Sequence, residues 1–170
     1  MASNVKGNVM KIRVFPDPVL REPVDPVEDF GSDLSKLLAD MWATMYVKDG
    51  IGLAAPQVGI SKSLAVIDYH GERYTLINPE VLDAEGDEEG EEGCLSFPGI
   101  FVKVHRPTRI RVRFQDESGD PREMDVHGFL ARVFMHEIDH LKGKLLIDHV
   151  SPMRRHMITS KLKKRSAEER

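Results

Sequence analysis

The sequence of 170 residues predicts an α+β fold, in which antiparallel strands pack around a central helix, with an N-terminal amphipathic helix and a C-terminal helix. Two patterns predict this class. Apolar residues recur at three- and four-residue steps in some segments, as they do on one face of a helix. Other segments alternate apolar and polar residues, as half-buried strands do. The strand segments follow one another without regular helical crossovers, which indicates antiparallel pairing.

The first helix is predicted over residues 34–46. Seven apolar side chains form one continuous stripe along it: Leu34, Leu37, Leu38, Met41, Trp42, Met45 and Tyr46. Ser32 or Asp33 is suited to cap its first turn, because a short polar side chain can accept from the free N–H groups there. The proline-rich stretch before it, residues 10–30, is expected to be an extended surface segment.

The middle of the chain is predicted to form strands. Residues 63–69 and 73–78 flank a His-Gly pair that suits a hairpin turn. In residues 109–114, three arginines alternate with apolar side chains, as in a half-buried strand, and residues 122–127 follow after a turn. The acidic stretch 83–92 is predicted to be a solvated loop.

Two further helices complete the predicted fold. The second runs from about Gly128 to Lys142, and Gly143 is expected to end it. The third begins at Ser151 and Pro152, a capping residue followed by proline at the first helical position. It continues as a basic C-terminal helix from about residue 151.

The composition excludes several classes of function. The net charge of −4 indicates no general affinity for nucleic acid, and no sequence-specific nucleic-acid partner is expected. No apolar run approaches the roughly 20 residues that cross a bilayer, and the N-terminus lacks the apolar core of a signal peptide. The single cysteine, Cys94, is typical of a reducing compartment. We therefore expect a single cytoplasmic domain, residues 1–170, that contacts no membrane.

The second helix carries the pentapeptide His-Glu-Ile-Asp-His, an H-E-x-x-H motif. His136 and His140 lie one turn apart on the same helical face, so both imidazoles can bind one ion while Glu137 stands beside it. A pair of surface histidines is the alternative interpretation. A catalytic site needs three protein ligands and an open position, so a third ligand would decide between them.

Cys94 is the strongest candidate for the third ligand. The longer metalloprotease pattern requires a histidine where this chain has Leu146, which cannot bind a metal. Asp148 and His149 stay open as candidates, but they match no known pattern. The glycine, acid and serine around Cys94 indicate a turn rather than a core strand. A thiolate with two imidazoles makes a soft site that suits zinc or ferrous iron.

Two other functions are compatible with parts of this pattern. In a cysteine hydrolase, Cys94 would be the nucleophile and a histidine its base, which leaves Glu137 without a purpose. In a binding module, the metal would be purely structural. Closed structural sites use four protein ligands, whereas three convincing ones are present here.

Three motifs together resemble the peptide deformylase family, over roughly residues 9–160. They are GIGLAAPQ at 50–57, EGCLS at 92–96 and HEIDH at 136–140, in the family's order and spacing. The resemblance implies a metal-dependent hydrolase that removes the formyl group from the N-terminal formyl-methionine of nascent polypeptides and releases formate. The substrates would be N-formylmethionyl peptides.

The resemblance also implies a role for each matched residue. Cys94, His136 and His140 would hold one divalent ion, Fe(II) in the cell, with Zn, Ni or Co as substitutes. Glu137 would move a proton from water on the metal to the leaving amine.

Oxyanion and substrate contacts are implied for residues near the metal. Gln57 and the backbone N–H of Leu95 would hydrogen-bond the formyl oxygen as it gains charge. Glycines of the first motif would let the substrate backbone approach, and three apolar residues would line its side-chain pocket. The substrate-binding residues implied are Gly50, Ile51, Gly52, Phe129 and Val133.

Four further positions carry expectations. Arg132 is expected to pack its stem near the methionine pocket while its charge reaches solvent. Arg106 and Asp139 are expected to steady the helix that bears the ligands. Met135 stands where many relatives have glutamine, which affects local packing alone.

The basic C-terminal helix suggests a binding partner for the protein. Basic side chains recur from Arg154 to Arg165, on a chain of net negative charge. Relatives in the family offer a similar helix to the ribosome, so the resemblance implies the ribosome as a partner, bound through phosphate contacts.

Overall fold

The computed structural model describes residues 7–168, so residues 1–6 and 169–170 of the predicted domain lie outside the described part. Within it the chain forms three α-helices and seven strands. The helices are α1 (Ser32–Val47), α2 (Gly128–Leu141) and α3 (Pro152–Glu168). Single 3-10 turns lie at Pro18–Arg21, Ala55–Val58 and Leu146–His149.

The strands form two antiparallel sheets. The larger has the order β1-β2-β3-β6-β7, and the smaller pairs β4 with β5. Both sheets contact α2, which confirms the predicted α+β class with strands around a central helix. The strands are β1 (Gly52–Ala54), β2 (Leu64–Tyr69), β3 (Glu72–Glu85), β4 (Glu88–Cys94), β5 (Phe97–Arg106), β6 (Arg109–Gln115) and β7 (Pro121–His127).

The core holds α2 in place against the larger sheet. Phe134 and Ile138 of α2 are almost completely buried among apolar side chains of β2, β3, β6 and β7. A second apolar cluster lies under α1. A third joins α3 to β5 through Ile158 and Leu162, which are 1% and 2% exposed. Because α2 packs against strands of both sheets, its backbone is a rigid support for side chains that face the gap between the sheets.

The first helix confirms the apolar stripe but not the predicted cap. Gly31 occupies the N-cap position, and Ser32 and Asp33 already belong to the first turn. No side-chain cap bond forms at Gly31 among the described residues. The Gly31 N–H instead bonds the Asp29 carboxylate at 2.9 Å, so the polar residue that orders this helix start lies before the predicted one.

The predicted His-Gly hairpin is confirmed. His70 and Gly71 have φ angles of 51° and 87°, the left-handed pair that matches the twist of two antiparallel strands. The predicted start of α3 is also confirmed, because Ser151 Oγ accepts from the N–H of Arg154 at 3.2 Å. The proline-rich stretch is not confined to the surface, since Leu20 within it is fully buried.

The acidic stretch is not a loop, so that prediction was wrong. It forms the end of β3 and most of β4. The carboxylates of Asp83 and Glu85 lie 3.1 and 3.0 Å from the Arg109 guanidinium on the neighbouring strand. Opposite charges across a ladder stabilise strand pairing, so a run of acids can be a strand where arginines face it.

No helix in residues 7–168 is long and apolar enough to cross a membrane.

We expect Phe134→Ala to destabilise the fold by about 3–5 kcal/mol, because it removes a fully buried ring and leaves a cavity beneath α2. Urea unfolding of the native and variant proteins measures the difference. Val47→Ala is the control: Val47 is 62% exposed, so its free energy of unfolding should change by less than about 0.5 kcal/mol. Equal effects of the two changes would contradict this description of the core.

Candidate metal centre

Three segments bring their polar side chains together between the two sheets. Helix α2 supplies His136, Glu137 and His140, and Cys94 stands at the end of β4. One ligand atom each from Cys94 and the two histidines lies within 4.8 Å of the others. Cys94 Sγ is 3.4 Å from His140 Nε2. Gln57, from the turn after β1, completes the group with its amide 3.5 Å from the same sulfur.

The other candidate ligands do not join this group. Both oxygens of Asp148 face the Arg21 guanidinium, at 2.6 and 2.9 Å. His149 Nε2 lies 3.3 Å from Asp139 Oδ2. The structure therefore brings Cys94 to the histidines and keeps Asp148 and His149 apart from them.

Burial controls the protonation of His140. Its pKa is lowered to about 3, first by desolvation and then by the neighbouring His136. Among the described residues its Nδ1 has no hydrogen-bond partner. A neutral imidazole is the form that binds a metal, so this environment favours the ligand state.

Glu137 is a buried carboxyl group whose pKa is raised. The side chain is 4% exposed, and desolvation raises its pKa to about 7. Its Oε1 atom has no hydrogen-bond partner within residues 7–168. Gly52 makes room for the other oxygen, because a methyl group there would lie 2.5 Å from Glu137 Oε2. A carboxyl group that titrates near neutrality can both accept and return a proton.

A buried carboxylate orients His136. Glu92 Oε1 lies 2.9 Å from His136 Nδ1, and Arg106 donates to both oxygens of Glu92 at 2.9 Å. Burial alone would raise the pKa of Glu92, but the bonds to His136 and Arg106 outweigh it and lower that pKa to about 2. Arg106 also donates to Asp139 Oδ2 at 2.6 Å. Arg106 of β5 is therefore paired with Asp139 of α2, the helix that the two residues were expected to steady.

Glu92 was not predicted from the sequence as a partner of His136. The only signal was its place in the second motif, two residues before Cys94.

Arg132 differs from its prediction. The residue is 8% exposed, and its guanidinium bonds main-chain oxygens and Glu92 instead of reaching solvent. The expectation that its charge would reach solvent was wrong, because the main chain of β4 and β5 and the Glu92 carboxylate offer it acceptors inside the protein.

Gln57 is oriented by a bond at each end of its amide. Its Oε1 accepts from the N–H of Ala54 at 3.0 Å, and its Nε2 donates to Ser96 Oγ at 3.1 Å. The residue is 2% exposed, so the donor end is fixed beside Cys94.

A cavity of about 510 Å³ opens beside this group. Its wall includes every substrate-contact residue implied by the resemblance. Phe101, whose ring lies over Gly93 and is 58% exposed, also lines it and was not anticipated. The implied residues on the wall are Gly50, Ile51, Gly52, Phe129 and Val133, with Gln57, Leu95 and Glu137 beside them.

Fold and site together define a class. An α+β domain with a Cys-His-His group on a central helix and strand, and a free buried glutamate beside it, has the features of a mononuclear metallohydrolase.

The sequence model of the family described as "Polypeptide deformylase" matches residues 9–156, so the chain belongs to that family. It is 49% identical to the peptide deformylase of Thermotoga maritima over 153 residues, which cover 89% of this chain and 93% of that one.

Solved structures agree. The crystal structure of a peptide deformylase from Legionella pneumophila superposes with a TM-score of 0.90 at 43% identity, covering 95% of this chain and 97% of that chain. One from Synechococcus elongatus, in complex with actinonin, gives 0.84 at 41% identity, covering 89% and 85%.

Family membership fixes the activity. The chain is a metal-dependent hydrolase that removes the formyl group from formyl-methionyl peptides. The resemblance seen in the three motifs is confirmed, and neither a cysteine hydrolase nor a purely structural metal module is supported.

We expect Gly52→Ala to lower kcat/KM for a formyl-methionyl peptide by about 10²-fold, because the new methyl group must displace the Glu137 carboxylate. Steady-state release of formate is the measurement. Gly71→Ala is the control: within the described part of the chain a methyl group there meets nothing within 4 Å, although φ is 87°. It should cost about 1 kcal/mol of stability and leave activity unchanged. A fully active Gly52→Ala enzyme would contradict the close contact.

Proposed function

We propose that Cys94, His136 and His140 hold the single divalent ion of this deformylase, with Fe(II) as the ion in the cell and Zn, Ni or Co as substitutes. The observation that carries this proposal is the convergence of their ligand atoms to within 4.8 Å, beside a buried glutamate that is free to react. One soft thiolate and two imidazoles suit these metals. The bond from His136 Nδ1 to Glu92 leaves Nε2 for the ion.

Glu137 is the proton carrier in this proposal. When bound, the ion supplies Lewis-acid polarisation and makes water a nucleophile at neutral pH. Glu137 takes a proton from the attacking water and delivers it to the nitrogen of the leaving amine. Its pKa of about 7 supports both transfers, since an acid or base is most effective near the working pH.

Gln57 and Leu95 stabilise the charge that develops on the formyl oxygen. The Gln57 amide donor lies at the metal group and is fixed by its neighbours, so little reorganisation is needed during the reaction. The backbone N–H of Leu95 is assigned as the second donor, because Leu95 follows Cys94 directly and lines the same cavity.

The cavity wall selects the methionine side chain. Gly50 and Gly52 are assigned to the substrate backbone, because residues without side chains allow close approach. Ile51, Phe129 and Val133 are assigned to its apolar side chain. Burying an unbranched thioether among such residues is favourable and needs no polar partner.

Helix α3 is proposed to bind the ribosome, which places the enzyme in the cytoplasm, where nascent chains emerge. Its basic side chains are exposed, whereas Ile158 and Leu162 fasten the helix to the domain. A cluster of cations on a firmly attached helix suits a phosphate-rich surface, and such binding weakens steeply as salt rises.

We expect Glu137→Gln to retain the metal and to lose about 10²- to 10⁴-fold in kcat, because the amide cannot carry the proton. Metal content per chain and formate release are measured on the same anaerobic preparation. Glu117→Gln, an exposed acid in the turn between β6 and β7, is the control and should change neither. Near-normal turnover by Glu137→Gln would refute the assigned mechanism.

The ribosome contact is best tested by charge rather than by truncation, since removing α3 would expose the cluster around Ile158. We expect Lys161→Gln, Lys163→Gln and Lys164→Gln combined to reduce co-sedimentation with ribosomes and flatten its salt dependence, while free-peptide deformylation is kept.

The matched control has the same loss of charge away from α3. It combines Lys11→Gln, Lys36→Gln and Lys48→Gln, all at exposed positions. Equal binding by the native protein and both triple variants would exclude α3 as the contact.

A further inference from the structure

The guanidinium of Arg132 fills the space that a side chain at position 90 would occupy, where the sequence has glycine. A methyl group built on Gly90 would lie 2.8 Å from Arg132 Cζ and 2.9 Å from its Nη2. Gly90 has no left-handed φ that would demand glycine. Space, rather than backbone conformation, therefore explains the glycine in β4: it leaves room for an arginine that enters from α2.

The arginine fastens α2 to both strands of the small sheet. Its Nη1 donates to Glu92 Oε2 and to the carbonyl oxygen of Val104, both at 2.8 Å. Its Nη2 donates to the carbonyl oxygen of Glu88 at 2.7 Å. These acceptors lie on β4 and β5, while the arginine belongs to the helix. Hydrogen bonds from a buried charged donor are among the stronger ones in proteins.

The ligand set is divided between the same two elements. Cys94 ends β4, whereas His136 and His140 belong to α2. Arg132 lies one turn before His136, and Glu92 lies two residues before Cys94. The bond between Arg132 and Glu92 therefore spans the strand and the helix close to where the thiolate must meet the imidazoles.

Arg106 cannot replace the link that Arg132 makes between α2 and the small sheet. It holds Glu92 from β5 and reaches α2 through Asp139, so its grip on the helix lies near His140. Arg132 bonds the same carboxylate, but it lies one turn before His136 in α2, whereas Asp139 lies after His136. With both arginines in place, Glu92 has one orientation, and its second oxygen stays directed at His136 Nδ1.

We propose that Arg132 is a positioning residue of the metal centre: with Gly90 as its socket, it sets the separation of Cys94 from the two histidines and fixes the Glu92 carboxylate that orients His136. The inference rests on the proposed metal ligands. It assigns no contact between Arg132 and the reacting atoms.

Two substitutions test this link between α2 and the small sheet from opposite sides. Arg132→Met keeps an apolar stem and removes the hydrogen bonds. Gly90→Ala keeps every polar group but forces the guanidinium out of its socket. Each should weaken Zn²⁺ binding, measured by competition with a chelator, by about 10- to 100-fold, the usual effect of losing a group that orients ligands. Each should also alter the absorption bands of the Co²⁺-loaded protein, which report the ligand geometry.

The double variant distinguishes a shared interaction from two separate defects. Because Met leaves room for the Ala side chain, Gly90→Ala with Arg132→Met should bind Zn²⁺ within about twofold of Arg132→Met alone. Arg113→Met is the control: it removes an arginine paired with Glu80 on the other sheet, and it should bind Zn²⁺ normally.

Unchanged Zn²⁺ affinity and unchanged Co²⁺ spectra in both single variants would overturn the proposal. Should Arg132→Met fail to fold, Gly90→Ala alone decides. His136→Ala is measured in parallel. If it also kept native Zn²⁺ affinity, the proposed ligand set would be wrong; if it lost Zn²⁺ while the other two kept it, only the role of Arg132 would fail.

Discussion

Because of burial the Glu92 carboxylate loses its hydration by water, and the surrounding side chains compensate by pairing with its charge and hydrogen-bonding its oxygens. The charge is 7% exposed and is met by two arginines and one histidine. A buried charge is tolerated only when it is paired and fully hydrogen-bonded, and losing one partner leaves the others uncompensated. Because those partners come from α2 and β5, satisfying the charge also sets how the helix lies against the small sheet.

Two buried glutamates in one site have pKa values shifted in opposite directions, although burial alone raises the pKa of both. Glu92 has cationic neighbours, which hold its pKa at about 2, whereas desolvation dominates at Glu137 and raises its pKa to about 7. Separated pKa values of this kind agree with a division of labour between a fixed structural charge, Glu92, and the proposed proton carrier, Glu137. The division follows from packing, since Gly52 gives Glu137 space but no hydrogen-bond donor from a side chain.

Local patterns in the sequence predicted the elements that local physics controls. The apolar stripe of α1, the His-Gly turn and the two-histidine spacing each depend on residues within one turn or hairpin, and all three are present in the structure. The acidic strands were missed because their stability comes from arginines on other strands. Arg132 was misplaced for the same reason: the carbonyl groups that bind it are 28 and 44 positions away in sequence.

The reciprocal fit of Gly90 and Arg132 constrains how this sequence can change over time. Any larger residue at position 90 collides with the guanidinium, while a shorter residue at 132 leaves a gap that position 90 could then fill. The order of substitution therefore matters, because the arginine must change first for the glycine to become replaceable. Lineages that have crossed this step would carry a bulkier residue at 90 with an uncharged one at 132. Sequences that combine a larger residue at position 90 with arginine at position 132 would be rare. Arginine could return to position 132 only after glycine is restored at position 90.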